Sequence, residues 1–193
     1  MRRIRREGGF TLVELLMVVA LVGVLTAIAI PSFMNYQARS RRSEAFANLS
    51  AIARVQTTYQ ATKGEYFDTG GLPWPDYTAP PYGALGTHKM DWDAASEAAW
   101  GGLGWAPEGD VYYSYQSNVC CPDGMCFTAS AYGDVDADGL GSAVMYVEPK
   151  SEEDGSTTEC PSGLPAPLNF GTPTGPTGKI LREVAVQAST DEF

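Results

Sequence analysis

From Phe10 to Ile30 the chain is apolar at every position except Thr11, Glu14 and Thr26, and after Pro31 apolar and polar residues mix. A run of that length matches the roughly 20 apolar residues that carry a helix across a bilayer. Beyond Pro31 the pattern becomes amphipathic: Ala45, Leu49, Ile52, Gln56 and Tyr59 recur at spacings of four and three, with Phe46 and Ala53 alongside. That period predicts a helix with one face on a core and with Arg39, Arg41, Arg42, Glu44 and Arg54 in solvent. One long helix over 10–62 is expected, ending at Lys63-Gly64, where glycine suits a C-cap. Pro31 removes a helix hydrogen bond and is expected to kink or weaken it locally, and Gly23 adds flexibility.

Residues 64–110 are rich in Gly, Pro and aromatics, including Trp74, Tyr77, Tyr82, Trp92, Trp100 and Trp105. They read as a connecting loop with one short helix over 93–100, started by Asp93 as N-cap. The aromatics pin this loop to the core. Strands are expected over 111–119, 126–133 and 143–148, where Tyr, Val and Phe concentrate. Pro122-Asp123-Gly124 makes the first two a hairpin. Residues 151–178 read as irregular, and 179–187 as a last strand or a short helix. The fold class is α+β, a long helix packed on an antiparallel sheet.

Charge divides the chain further. The formal net charge is −10, and Arg2, Arg3, Arg5 and Arg6 stand against one Glu7 ahead of the apolar run. The basic flank keeps the N-terminus cytoplasmic and sends the remainder across. Without those nine residues the chain sits three charges lower, at −13. An acidic head of this kind repels nucleic-acid phosphates, so no nucleic-acid partner is expected. The apolar run is too long for a Sec signal peptide, whose apolar region spans roughly 7–15 residues, and no A-x-A site follows it. A plain anchor fits the length but leaves Glu14 unexplained, since a carboxylate in a spanning segment costs about 2.5–3.5 kcal/mol.

Gly9-Phe10-Thr11-Leu12-Val13-Glu14 at the head of an apolar helix resembles the type IV prepilin signature. Ala29-Ile30-Pro31 with Phe33, then Ser43-Glu44-Ala45 with Asn48-Leu49, continue the resemblance. Leu103-Gly104-Trp105 ahead of Pro107 and Gly109-Asp110-Val111 is similar to the lead into the sheet of longer pilins. The resemblance implies the pilin fold, with 1–9 as leader, 10–31 as membrane and filament-core helix, 32–63 as amphipathic helix and 64–193 as globular head. It also implies that a membrane prepilin peptidase and methyltransferase cuts between Gly9 and Phe10 and N-methylates Phe10. Glu14 is then the carboxylate that pairs with an N-terminal amine during assembly. Gly23 and Pro31 bracket a stretch that unwinds in the filaments of some members.

Cys120, Cys121, Cys126 and Cys160 all lie beyond the apolar run, and four cysteines in an oxidising compartment read as two disulfides. Cys121 and Cys126 flank the turn, which leaves Cys120 to reach Cys160; the exchange of Cys120 and Cys121 fits nearly as well. Asp134, Asp136 and Asp138 before Gly139 resemble the opening of a calcium loop, but Met145 stands where the loop's bidentate Glu belongs. Calcium and a plain acidic turn both remain open here, and no cofactor is required. His88 is the only histidine, and no nucleophile–base pattern or phosphate loop is visible, so no enzyme activity is expected.

The function implied is a structural subunit of a type IV pilus, a homopolymer serving adhesion and movement by extension and retraction. Its partners are further copies and the inner-membrane assembly machinery. It waits in the inner membrane with its head in the periplasm and ends in an extracellular filament. A minor pilin or a type II secretion pseudopilin shares the same N-terminal machinery. A monomeric membrane-anchored binding domain would need no leader cleavage.

Overall fold

The computed structural model describes residues 9–78, 81, 84–119, 121, 123–136, 139, 141–151, 157–158 and 185–186. The chain divides into two units, Met1–Gln37 and Ala38–Phe193, and a single helix, α1, runs Leu12–Lys63. It begins two residues later than the apolar run because Thr11 caps it. Helical structure continues unbroken through Pro31, so the proline costs one of many hydrogen bonds and not the helix. Gly64, at φ +84°, ends α1, and its N–H donates to the Gln60 carbonyl at 2.8 Å.

In the first unit every described residue from Gly9 to Gln37 is exposed. The whole described core belongs to the second unit. There α1 buries Ala38, Ala45, Leu49, Ile52, Ala53 and Gln56, as the spacing predicts. Burying side chains such as Leu49 and Ile52 stabilises the fold by about 1.5–3 kcal/mol each. Gln56 is fully buried and fully used: its Nε2 donates to Phe67 O at 2.7 Å and Ser117 Oγ at 2.6 Å, and its Oε1 accepts from Phe67 N at 2.8 Å. This side chain thereby ties α1 to the loop that follows it.

Strands β1 (Ser114–Asn118), β2 (Phe127–Gly133) and β3 (Ser142–Glu148) form an antiparallel meander, and β6 (Ala185–Val186) pairs with β3 to give the order β1-β2-β3-β6. The strand alternative for 179–187 therefore holds at Ala185–Val186. Tyr115 opposes Ala131, and Ala131 opposes Val144, so these three share one face. They join Leu49 and Ile52 of α1 in one apolar cluster. Small side chains at Ala129 and Ala131 keep that face low for the helix. The arrangement is α+β and consistent with the pilin fold.

Two strand expectations change. Val111 lies outside β1 and instead bridges to Met90, exchanging both backbone bonds at 2.7 and 2.9 Å. Residues 151–178 do not start irregular, because β4 (Lys150–Ser151) pairs with β5 (Thr157–Thr158).

Helix α2 (Ala94–Trp100) forms where expected. Asp93 accepts from Ser96 N at 2.8 Å and from Ser96 Oγ at 2.6 Å. Those bonds hold its carboxyl below the usual carboxylate range. The loop aromatics pack into the core as expected: Trp105 meets Trp100, Trp92 and Tyr115 edge-on, with centroids 4.8, 5.4 and 5.5 Å apart. Tyr82 lies outside the described residues.

Candidate functional site

The N-terminal segment brings three of the expected residues together. Phe10 and Gly9 precede α1, and Glu14 lies in its first turn. Thr11 N–H and Thr11 Oγ1–H donate to Glu14 Oε2 at 2.9 and 2.7 Å, while Glu14 N–H donates back to Thr11 Oγ1 at 3.3 Å. This is a reciprocal capping box. It satisfies orphan donors at the helix start and fixes the Glu14 carboxylate beside the first peptide groups. Sequence reading missed it, although Thr-x-x-Glu ahead of an apolar run is a sufficient signal. Gly23 lies mid-helix in open surroundings: a Cβ there would meet nothing within 4 Å. Pro31 lies eight residues on in the same unbroken helix. Among the described residues α1 is the one helix long and apolar enough to cross a membrane.

Arg41 and Glu44 depart from the solvated positions expected of them. Arg41 lies over the Tyr112 ring, 5.1 Å from its centroid, and donates to Val135 O at 3.1 Å. Lys89 Nζ lies 5.2 Å from the same centroid. Glu44 is half-buried and accepts from Tyr112 N–H at 2.8 Å and from Tyr115 O–H at 3.3 Å. The Tyr115 hydroxyl oxygen in turn accepts from Asn48 Nδ2–H at 2.8 Å. Burial first, and then the charge of Glu44, push the Tyr115 phenol well above its ordinary value, so it stays a donor. A cleft of about 240 Å³ opens beside Glu44, Asn48, Lys89 and Asp110.

Burial raises the Glu44 carboxyl above its ordinary value, overcoming the Tyr112 N–H and the attraction of Lys89. Folded Glu44 therefore holds its proton more tightly than unfolded Glu44. Its contribution to stability is fully present below the unfolded value and is lost as pH rises through the folded one. Glu44→Gln should gain on the unaltered protein as pH rises from about 4 to 7. Thermal unfolding of a head beginning at Ala38 checks this; parallel profiles for the two proteins would contradict it.

Cys121 and Cys126 form a disulfide across the turn, with Cα atoms 5.6 Å apart. Cys120 and Cys160 lie outside the described residues. The acidic loop joins β2 to β3, and Asp134, buried at 5% exposure, accepts from Gly139 N–H at 3.1 Å. Asp136, two residues on in the sequence, is half-buried, and Asp138 lies outside the described residues. No group of three or more His, Cys, Asp or Glu able to hold a metal occurs among the described residues. A second cleft, about 360 Å³, lies beside Tyr59, Tyr66, Asp68 and the Cys121 end of the disulfide. In neither cleft do the lining residues place a nucleophile beside a base.

The model of the prokaryotic N-terminal methylation motif matches residues 4–30. The chain is 51% identical over 63 residues to the type IV major pilin protein PilA of Myxococcus xanthus (strain DK1622), covering 33% of this chain and 29% of that protein. It is 45% identical over 58 residues to the fimbrial protein EcpC of Eikenella corrodens, covering 30% and 38%. It is 40% identical over 60 residues to a type IV major pilin protein PilE1 of Neisseria gonorrhoeae, covering 31% and 36%. The matched region thus spans about a third of the length of these curated relatives. No solved structure matches the chain. The N-terminal third of the chain thus carries the prokaryotic N-terminal methylation motif at the head of an exposed apolar helix and is similar there to type IV major pilins and fimbrial proteins.

Proposed function

We propose that the chain is a structural subunit of a type IV pilus, cut between Gly9 and Phe10, N-methylated at Phe10 and polymerised through α1. The observation that carries this is the methylation motif at the head of a helix exposed on every side from Leu12 to Gln37. A helix that is apolar all round is stable only in lipid or in a protein core. The same helix serves both, first as membrane span and then as filament core. Glu14 suits the second setting because the amine freed at Phe10 of another copy neutralises it.

The arginines of the leader orient the precursor with its N-terminus in the cytoplasm and its head in the periplasm. The assembled chain is then extracellular. The matched relatives named as major pilins favour the main subunit, and with it roles in adhesion and in movement by extension and retraction. The processing partner is a prepilin peptidase and methyltransferase, and the assembly partners are inner-membrane machinery and further copies.

Gly9→Val tests the processing step, because a β-branched residue before the cut displaces the scissile bond. Immunoblotting should find uncut precursor in the membrane and no surface filaments. Normal mature chain and normal filaments would contradict the proposal.

A further inference from the structure

Three of the chain's methionines, Met90, Met125 and Met145, lie in the second unit. Met90 and Met145 belong to the core, at 2% and 1% exposure, whereas Met125 is exposed at 37%. A thioether in solvent is open to two-electron oxidants, which convert it to a sulfoxide, while one in a packed core is shielded.

Met125 is also held in place. It follows Gly124 in the turn that the Cys121–Cys126 disulfide closes. Gly124 O accepts from Tyr66 N–H at 2.9 Å, and Met125 N–H donates to Asp123 Oδ1 at 3.2 Å. The backbone is therefore fixed on one side by the loop after α1 and on the other by the disulfide. The side chain reaches back to α1, where Gln60 Nε2–H donates to Met125 Sδ at 3.7 Å. A thioether sulfur is a weak acceptor with two lone pairs, and this bond occupies one of them. Gln60 blocks a reagent on that side and leaves the other lone pair to meet one from solvent.

We propose that Met125 is an oxidation site for hydrogen peroxide and that Gln60 makes its sulfoxide form as one epimer. The unoccupied lone pair of Sδ attacks the nearer peroxide oxygen. A sulfur–oxygen bond forms as the oxygen–oxygen bond breaks, and the departing hydroxide takes the proton from the transferred oxygen and leaves as water. Sulfur loses two electrons and the peroxide gains them. The sulfur becomes a stereocentre, and its configuration records which lone pair reacted. The new oxygen faces solvent, so the core and the Cys121–Cys126 bond survive the change.

The test uses the purified full chain in detergent, treated with hydrogen peroxide and then digested for mass spectrometry. Met125 should be oxidised about tenfold faster than Met90 and Met145, read in the same digest. Portions of the digest are then given one or other of the methionine sulfoxide reductases, each of which accepts a single epimer. One enzyme should restore about nine-tenths of Met125 and the other about one-tenth. Chain oxidised after unfolding in guanidinium should split near evenly. So should Gln60→Ala oxidised while folded, as judged by continued protection of Met90 and Met145. An even split in the folded unaltered chain, equal rates at the three methionines, or a folded Gln60→Ala split as uneven as that of the unaltered chain would each overturn the proposal.

Discussion

Glu14→Leu should leave a subunit that enters the membrane, is cut after Gly9 and folds its head, yet is missing from surface filaments when it is the only copy. The substitution removes a carboxylate from an apolar segment, so insertion gains about 2.5–3.5 kcal/mol and cannot be what fails. What fails is the next step. The amine at Phe10 of a neighbouring copy would enter the filament core with no counter-charge, and breaking such a buried pair costs about 3–5 kcal/mol per contact. That cost recurs at every subunit, so the effect on a polymer is a loss and not a reduction.

The capping box adds a confounding effect, because Leu at position 14 also discards the bonds from Thr11 N–H and Oγ1–H. Glu14→Gln separates the two. Glutamine serves in a capping box as glutamate does but carries no charge. Filament loss in both variants assigns the defect to the charge; loss in the leucine variant alone assigns it to the helix start.

Trp100→Ala has the largest expected effect on the head. Trp100 is fully buried at the end of α2, packs edge-on to Trp105, and its carbonyl accepts from Leu103 and Gly104 N–H at 3.0 Å. Truncating such a side chain costs about 3–5 kcal/mol, against about 5–15 kcal/mol for a whole domain. Trp100 Nε1 has no partner among the described residues, so Trp100→Phe loses ring area but no hydrogen bond. Denaturant unfolding of a head beginning at Ala38 should rank the proteins as unaltered, then phenylalanine, then alanine. An alanine variant within about 1 kcal/mol of the unaltered head would show that α2 is peripheral to the core.

The features legible in the sequence share a local physical cause. The α1 core face follows from spacing, α2 from Asp93 as a cap, and the Cys121–Cys126 bond from a turn between strands. Glu14 is legible because an ionised group in an apolar run is costly wherever the chain folds. The features that were missed depend on partners far along the chain. Glu44 and Arg41 read as solvated because helical period places them away from the α1 stripe. Tyr112, 68 residues beyond Glu44, buries that carboxylate and stacks under Arg41. Gln56 is legible as buried, but its bonds to Phe67 and Ser117 are not, since polar partners carry no periodic signal. The pairings of Val111 with Met90 and of β4 with β5 are short, and short strands lack the alternation that reveals longer ones.

The central claim is that this chain is processed as a prepilin and polymerises through the helix so exposed. Mass spectrometry of the N-terminal peptide from filaments sheared off the cell surface tests it most directly. The expected peptide begins at Phe10, carries one added methyl group on its amine and includes Glu14 unmodified. Filaments whose subunits retain Met1 and the arginines before Gly9, or sheared filaments that lack this chain, would contradict it.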